Sequence, residues 1–268
     1  MLKDITIGQY YPVDSFVHRL DPRTKLFAMV VFIFCLFLCH SWLAYLITGI
    51  VLGIGILQAK IPISYLLKGL KSVFFLILFS VSLNLFLTSG EVIWQFGILR
   101  VTKEGLSVAA LMCIRLVFLM LASSLMTLTT TPNQLTDGLE KGLSILNKIK
   151  IPVHELAMMM SISLRFIPIL VEETDKIQKA QMARGANFEK GNIIKRAKNL
   201  IPLFVPLFIS ALRRASDLAM AMEVRCYRGG EYRTKMKPLV YQKADYFTYA
   251  FLGIFAIGIV YGYVWWKQ

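Results

Sequence analysis

Residues 26–59 read LFAMVVFIFCLFLCHSWLAYLITGIVLGIGILQA, and no Lys, Arg, Asp or Glu stands between Lys25 and Lys60. A helix rising 1.5 Å per residue crosses the hydrocarbon core of a bilayer with about 20 apolar residues. The stretch is too long for one crossing and long enough for two short ones. His40, Ser41 and Trp42 sit near its centre, so it predicts a helical hairpin, 26–39 out and 41–59 back.

The proline-marked loop Lys60-Ile61-Pro62 leads to a third predicted span over 68–87. Thr88–Gly105 breaks the apolar pattern with Gly, Glu, Arg and Lys, and a fourth span over 106–128 contains Arg115. The last span, 246–266, ends on Trp265 and Trp266, an aromatic anchor suited to the membrane–water interface. From Thr129 to Lys243 the character changes, with 19 Lys plus Arg against 10 Asp plus Glu. Leu156–Leu164 is closed by Glu155 and Arg165, and Asn199–Leu212 is interrupted by Pro202 and Pro206. Neither run reaches the roughly 17–25 residues of a crossing, so both read as amphipathic helices, interfacial or packed together.

The predicted fold class is therefore an all-α integral membrane protein of about five transmembrane helices plus a basic helical module. Residues 1–128 hold transmembrane helices 1–4, residues 129–243 the cytoplasmic or interfacial module, and residues 244–268 the C-terminal transmembrane helix.

Composition agrees. The 268 residues are 56% hydrophobic and 17% charged, where a soluble domain has about a quarter charged, and the net charge is +14. In so apolar a chain the basic excess reflects the positive-inside bias rather than nucleic-acid binding. Arg19, Arg23 and Lys25 precede span one, and Lys60, Lys68 and Lys71 lie between spans two and three. With the basic module, all fall on one side if the N-terminus and module are cytoplasmic and the C-terminus is outside. The opposite loops carry only Arg100 and Lys103. No cleavable signal peptide is expected in the opening residues, so the first span serves as targeting signal. Cys35, Cys39, Cys113 and Cys226, like His18, His40 and His154, are scattered without metal-ligand spacing, and no metal or cofactor is expected.

Two motifs stand out in the module. Glu172 to Lys179 carries Glu172/Lys176 and Asp175/Lys179 pairs at helical spacing, then Gln181-Met182-Ala183-Arg184-Gly185-Ala186. The bland reading is a helix C-terminus in which Arg184 complements the dipole and Gly185 supplies the left-handed cap. The second motif, Ala221-Met222-Glu223-Val224-Arg225-Cys226-Tyr227-Arg228-Gly229-Gly230, repeats the plan: a helix, an Arg, then a glycine stop. Ala211, Ala215 and Ala219 form a small-residue stripe for close helix approach. Arg213 and Arg214 stand at pairing distance from Asp217. Two helices of one basic region, each ending in an Arg flanked mostly by small residues, suit insertion into grooves of cytosolic partners, because the planar guanidinium makes directional, bidentate bonds.

These stretches resemble one family. Arg165-Phe166-Ile167-Pro168, Glu172-Glu173 and Gln181-Met182-Ala183-Arg184-Gly185 look like the transmembrane (T) component of energy-coupling factor transporters, the EcfT/CbiQ-like family. So do Pro206-Leu207-Phe208, Arg213-Arg214-Ala215, Ala219 to Glu223, Tyr227-Arg228-Gly229, the opening His18 to Lys25, and Thr127 to Pro132. The resemblance implies a non-catalytic coupling subunit of an importer for vitamins or other micronutrients, in a prokaryotic plasma membrane. Its implied partners are two cytosolic ABC-type ATPase subunits and a membrane-embedded substrate-binding (S) component. It also implies that the module's amphipathic helices are coupling helices whose Ala-Arg-Gly ends dock into the ATPases. Ala183-Arg184-Gly185 matches that motif outright, whereas Val224-Arg225-Cys226 keeps the Arg and changes both neighbours. Arg165, Arg213, Arg214, Glu223 and Arg228 stand as supporting residues of the module.

Other classes fit less well. With no GxxxxGK[ST] loop, ATP hydrolysis belongs to another chain. A membrane enzyme needs a convergent cluster of His, Asp, Glu or metal ligands, and none is seen in the sequence. A stand-alone transporter needs polar groups at mid-membrane, and the spans offer chiefly Ser80, Ser82, Asn84 and Arg115. Arg115 either contacts a polar partner inside the membrane or snorkels toward headgroups. For Met158, Met159, Met160, Met220 and Met222 core packing is the default, with an adaptable partner surface as the sharper alternative.

Overall fold

The protein is described by a computed structural model covering residues 10–96, 99–186, 188, 193–229, 236 and 238–266. Among these, two compact units separate: Glu140–Pro238, and Gly8–Leu139 together with Leu239–Gln268.

The second unit contains the predicted spans. A short helix α1 (Phe16–Arg19) precedes α2 (Pro22–Leu38), where Pro22 is the first helical residue and the Asp21 side chain caps by accepting from the Arg23 amide. Proline lacks the N–H that the first turn would leave unpaired, so α2 starts four residues earlier than the apolar pattern alone suggests. Helix α3 (Trp42–Ala59) follows, capped by the Ser41 hydroxyl accepting from the Ala44 amide, which confirms the break between two helices and its polar turn. Helix α4 (Ile63–Leu87) begins after Pro62 and bends by 61° between Ile63–Lys71 and Val73–Leu87.

The broken pattern of Thr88–Gly105 becomes an antiparallel pair, β1 (Val92–Phe96) and β2 (Leu99–Thr102), a departure from the otherwise all-α expectation. Helix α5 (Lys103–Thr129), α6 (Pro132–Gly142) and, after the module, α9 (Lys243–Trp266) complete the unit. Trp265 and Trp266 fall at the end of α9, and their side chains lie outside the described residues.

One core joins α2, α3, α5 and α9 through Phe32, Leu36, Tyr45, Leu52, Ala122, Phe255 and Ile259. The outward faces are apolar as well: Phe34, Leu43, Phe75 and Ile254 are all largely exposed. Bare apolar surface on this scale marks a lipid-facing protein. By length and composition α3, α5, α9 and, in the other unit, α7 (Val153–Ala183) can each cross a bilayer, and so can bent α4. The 17 residues of α2 sit at the short end of the crossing range.

The ends of α2 and α9 are pinned together by a buried carboxylate. Asp245, in the first turn of α9, is fully buried and accepts from the amides of Asp21 (2.9 Å) and Gln242 (2.8 Å). Lys25 is also buried, its ammonium donating to the carbonyls of His18 (3.1 Å) and Thr129 (2.9 Å). A residue the charge count treats as a cytoplasmic marker thus also ties the start of α2 to the end of α5.

The other unit holds a 3₁₀ turn (Ser144–Ile149) and two long helices, α7 (Val153–Ala183) and α8 (Ile193–Val224). The expectation that this region lacks a run long enough to cross is not met by α7. Its helix continues through Arg165 and Pro168, with only Glu155 and Arg165 charged between Val153 and Leu170. Counting runs between charges divides what the backbone keeps continuous.

Candidate functional site

The two helices run antiparallel. Gln181, near the end of α7, meets Pro202, early in α8, while Glu173 meets Ser210 and Arg214 further along. Each contact has a local cause. Pro206 has no N–H, so the carbonyl of Pro202 loses its helical partner, and the Gln181 side-chain amide approaches it at 3.5 Å. Glu173 accepts from the Ser210 hydroxyl and forms an ion pair with Arg214 at 3.0 Å.

That pair corrects the sequence expectation. Arg214 reaches across to α7 instead of pairing along its own helix, and neither it nor Arg213 forms an ion pair with Asp217. The Glu172/Lys176 and Asp175/Lys179 pairs have helical spacing but do not close to ion-pair distance among the described residues. Exposed side chains gain little from such pairing. Arg213 and Glu223 are exposed on α8. The alanine stripe does face α7: Ala211, Ala215 and Ala219 line a groove of about 370 Å³ opposite Phe166 and Leu170. The helices therefore do not close fully where the small residues would permit it.

The helix ends carry the two predicted motifs. At the end of α7, the Ala186 amide donates to the Gln181 carbonyl and the Gly185 amide to the Met182 carbonyl, both at 3.0 Å. Gly185 adopts a left-handed φ of +87°. This is the Schellman arrangement, with Arg184 as the C-cap. At the end of α8, the Tyr227 amide donates to the Met222 carbonyl at 3.0 Å and the Cys226 amide to the Glu223 carbonyl at 2.8 Å. The bonds are the same two, with Arg225 as the cap and Cys226 in the left-handed position at φ 56°.

The stop is thus Cys226 and not the glycine pair expected downstream. Gly229 has its own positive φ of 93°, and Gly230 lies outside the described residues. Ala183, Arg184, Gly185, Val224, Arg225 and Cys226 are all exposed. Because the helices are antiparallel, Arg184 and Arg225 stand at opposite ends of the pair, roughly 35 Å apart at 1.5 Å per residue from Pro202 to Arg225.

The family model for CbiQ, described as a cobalt transport protein, matches residues 14–236. An "Energy-coupling factor transporter transmembrane protein EcfT" of Clostridium kluyveri is 50% identical over 270 residues, covering 100% of both chains. Proteins of the same description are 53% identical over 251 residues in Acidaminococcus fermentans (92% of each chain) and 49% over 247 in Bacillus subtilis (91% of this chain, 93% of that one). The chain belongs to the EcfT/CbiQ-like family.

It is accordingly a transmembrane component of the energy-coupling factor type. The helix ends also bring together residues that spacing alone keeps apart. Arg165 on α7 and Arg225 and Arg228 after α8 line one pocket of about 540 Å³ with Met158, Ile162 and Met222. Met159, Met160 and Met220 are 55%, 45% and 62% exposed, so the default of core packing fails for them.

Arg115 belongs to the other unit. Its Nη2 donates to the Cys39 carbonyl at 3.0 Å and its Nε to the Tyr45 hydroxyl at 2.9 Å, with the rings of Phe37 and Tyr45 beneath it. Glu173 and Ser210 are the functional-region residues that sequence reading passed over as partners. The prolines of α8 free carbonyls and so point to a donor such as Gln181 on α7, whereas no pattern within either helix marks the Glu173–Ser210 contact.

Proposed function

We propose that this EcfT-type chain is the non-catalytic coupling subunit of an ATP-driven importer of vitamins or other micronutrients. It joins two cytosolic ABC-type ATPase subunits to a membrane-embedded S component. Helices α7 and α8 are the coupling helices, and the ends at Ala183-Arg184-Gly185 and Val224-Arg225-Cys226 dock into the ATPases.

One observation carries this reading: Arg184 and Arg225 cap their helices through the same pair of backbone bonds, exposed at opposite ends of one antiparallel pair. Two equivalent ends suit two similar receptors. The same arrangement argues that α7 lies along the cytoplasmic interface, although its length and apolarity would permit a crossing. If the pair spanned the bilayer, its two ends would emerge on opposite sides, and cytosolic subunits could reach only one. The N-terminus and residues 129–243 are then cytoplasmic, and five crossings (α2, α3, α4, α5, α9) leave the C-terminus outside.

Movement follows from the same geometry. Closure of the ATPases on ATP displaces the two helix ends relative to each other. Pro168, Pro202 and Pro206 interrupt the backbone ladders, and the groove between the helices leaves room for tilting. Ile201, Phe204, Val205, Phe208 and Leu212 form an exposed apolar stripe on α8 at helical spacing. That stripe suits transmission of the tilt to a partner within the membrane.

The test is co-purification of the tagged chain from its native host with partners identified by mass spectrometry. Wild type is expected to bring down two nucleotide-binding ATPases and a small membrane protein. An Arg184→Glu, Arg225→Glu double variant is expected to lose the ATPases while remaining inserted. Recovery of the wild-type chain alone would reject the coupling role.

A further inference from the structure

The segment leading into α7, residues 141–153, reads KGLSILNKIKIPV, with Lys141, Lys148 and Lys150 and no Asp or Glu. Its own hydrogen bonds fold it. The Leu146 amide donates to the Leu143 carbonyl at 2.8 Å, the Ile151 amide to the Leu146 carbonyl at 3.3 Å, and the Ser144 hydroxyl to the Lys141 carbonyl at 2.8 Å. The base is drawn together by His154, whose Nδ1 stands 2.9 Å from a carboxylate oxygen of Glu140. Bonds that fix the backbone in this way also fix where the side chains go. Ile145 and Ile149 are 71% and 69% exposed, and Leu143, Ile151 and the three lysines are exposed as well. A single exposed aliphatic residue needs no explanation, but four within residues 143–151 make a patch that water does not favour.

We infer that this loop is a lipid anchor: its aliphatic side chains enter the cytoplasmic leaflet and its lysines hold the phosphates of anionic phospholipids. The inference rests on the cytoplasmic placement of residues 129–243 proposed above. Charge selects the occupant. An anionic leaflet attracts basic residues lying at its surface, and the segment offers three with no carboxylate of its own between residues 141 and 153. The lysine stems are apolar for most of their length, so each ammonium can reach the headgroups while the neighbouring isoleucines sit deeper. The loop immediately precedes α7, so anchoring it fixes the start of that helix. Force applied at Arg184, the C-cap of α7, then turns the helix about its anchored end instead of dragging it along the membrane.

The experiment places the purified full-length chain in nanodiscs of phosphatidylcholine, with or without phosphatidylglycerol, and follows hydrogen exchange at the amides of residues 143–151. Exchange is expected to be slower in the anionic discs. Lys141→Glu combined with Lys148→Glu is expected to speed it on the order of tenfold there, and to change it little in the neutral discs. Ile145→Ser combined with Ile149→Ser is expected to remove the shielding through the apolar half of the contact, and decides the matter if the lysine variant does not fold. Amides within α7 report in each sample whether the helix is intact. Equal exchange in the two lipids, or indifference of the anionic discs to either variant, would overturn the inference. Shielding that arises only when an ATPase or a membrane partner is added would assign the loop to a protein and overturn it too. These readouts need only this chain. Failure of the anchor therefore leaves the coupling role standing, and failure of co-purification rejects that role while the anchor is still measured.

Discussion

Arg115 on α5 closes the end of α2 by donating to the carbonyl of Cys39, the C-cap of that helix, at 3.0 Å. The same guanidinium donates to Tyr45 on α3 at 2.9 Å, so one cation links three helices at the turn of the first hairpin. Helix ends leave carbonyls unpaired, and a charged donor among apolar helices is worth more there than in water.

Replacing Arg115 by Leu should therefore lower stability by about 1.5–3 kcal/mol, the range for hydrogen bonds to charged groups. Arg115→Lys should recover part of it, since an ammonium can reach one of the two acceptors. Thermal unfolding in lipid nanodiscs measures both, and a Leu variant as stable as wild type would show that the contacts contribute nothing.

The two Schellman ends should respond differently to substitution at the left-handed position. Gly185→Ala should destabilise the end of α7 by about 1 kcal/mol, because a side chain at φ +87° is strained. Cys226→Gly should stabilise the end of α8 by a similar amount, and Cys226→Val should weaken it. Hydrogen exchange at the amides of residues 185, 186, 226 and 227 reads each end separately.

Asp245→Asn should cost about 1–3 kcal/mol. The buried carboxylate accepts from two backbone amides, whereas an amide side chain offers one acceptor and turns a donor toward the other N–H. The loss should appear as weaker association of α9, detected by faster proteolysis between the module and the last span.

Stability should also fall in mild acid through His18. Its Nε2 lies 3.0 Å from the Tyr11 carbonyl and must donate, leaving Nδ1 to accept from the Ser15 hydroxyl at 2.7 Å in the neutral ring. Burial, ahead of the charge of Lys25, holds its pKa below the ordinary 6.5. The folded state thus prefers the neutral imidazole. Its contribution is complete above the unfolded value of about 6.5 and is lost as pH falls from there through the lower folded value. The melting temperature of wild type should drop between neutral and mildly acidic buffer, and that of His18→Gln should drop less.

Much of this was legible in the chain itself. The uncharged interval from Lys25 to Lys60 forced a hairpin, and the polar trio at its centre located the turn within two residues of the observed one. Arg184 at a helix terminus followed from Gly185 alone, because a left-handed cap favours the residue without a side chain. The end of α8 was misplaced for the same reason: glycine marked the stop in sequence, yet Cys226 takes the left-handed site. The ion pair of Arg214 was misassigned because helical spacing reveals neighbours on one helix and says nothing of a facing helix.

What the sequence by itself determined, then, was which segments are apolar, roughly where they turn, and which residues stand at helix ends, since each depends on neighbours within a few positions. Only the tertiary structure decided that Glu173 meets Arg214, that Arg115 serves Cys39, and that Arg165 joins Arg225 and Arg228 around one pocket. Those contacts join residues 41, 76 and roughly 60 positions apart. Their partners are selected by the rotation and offset of packed helices, which no local pattern encodes.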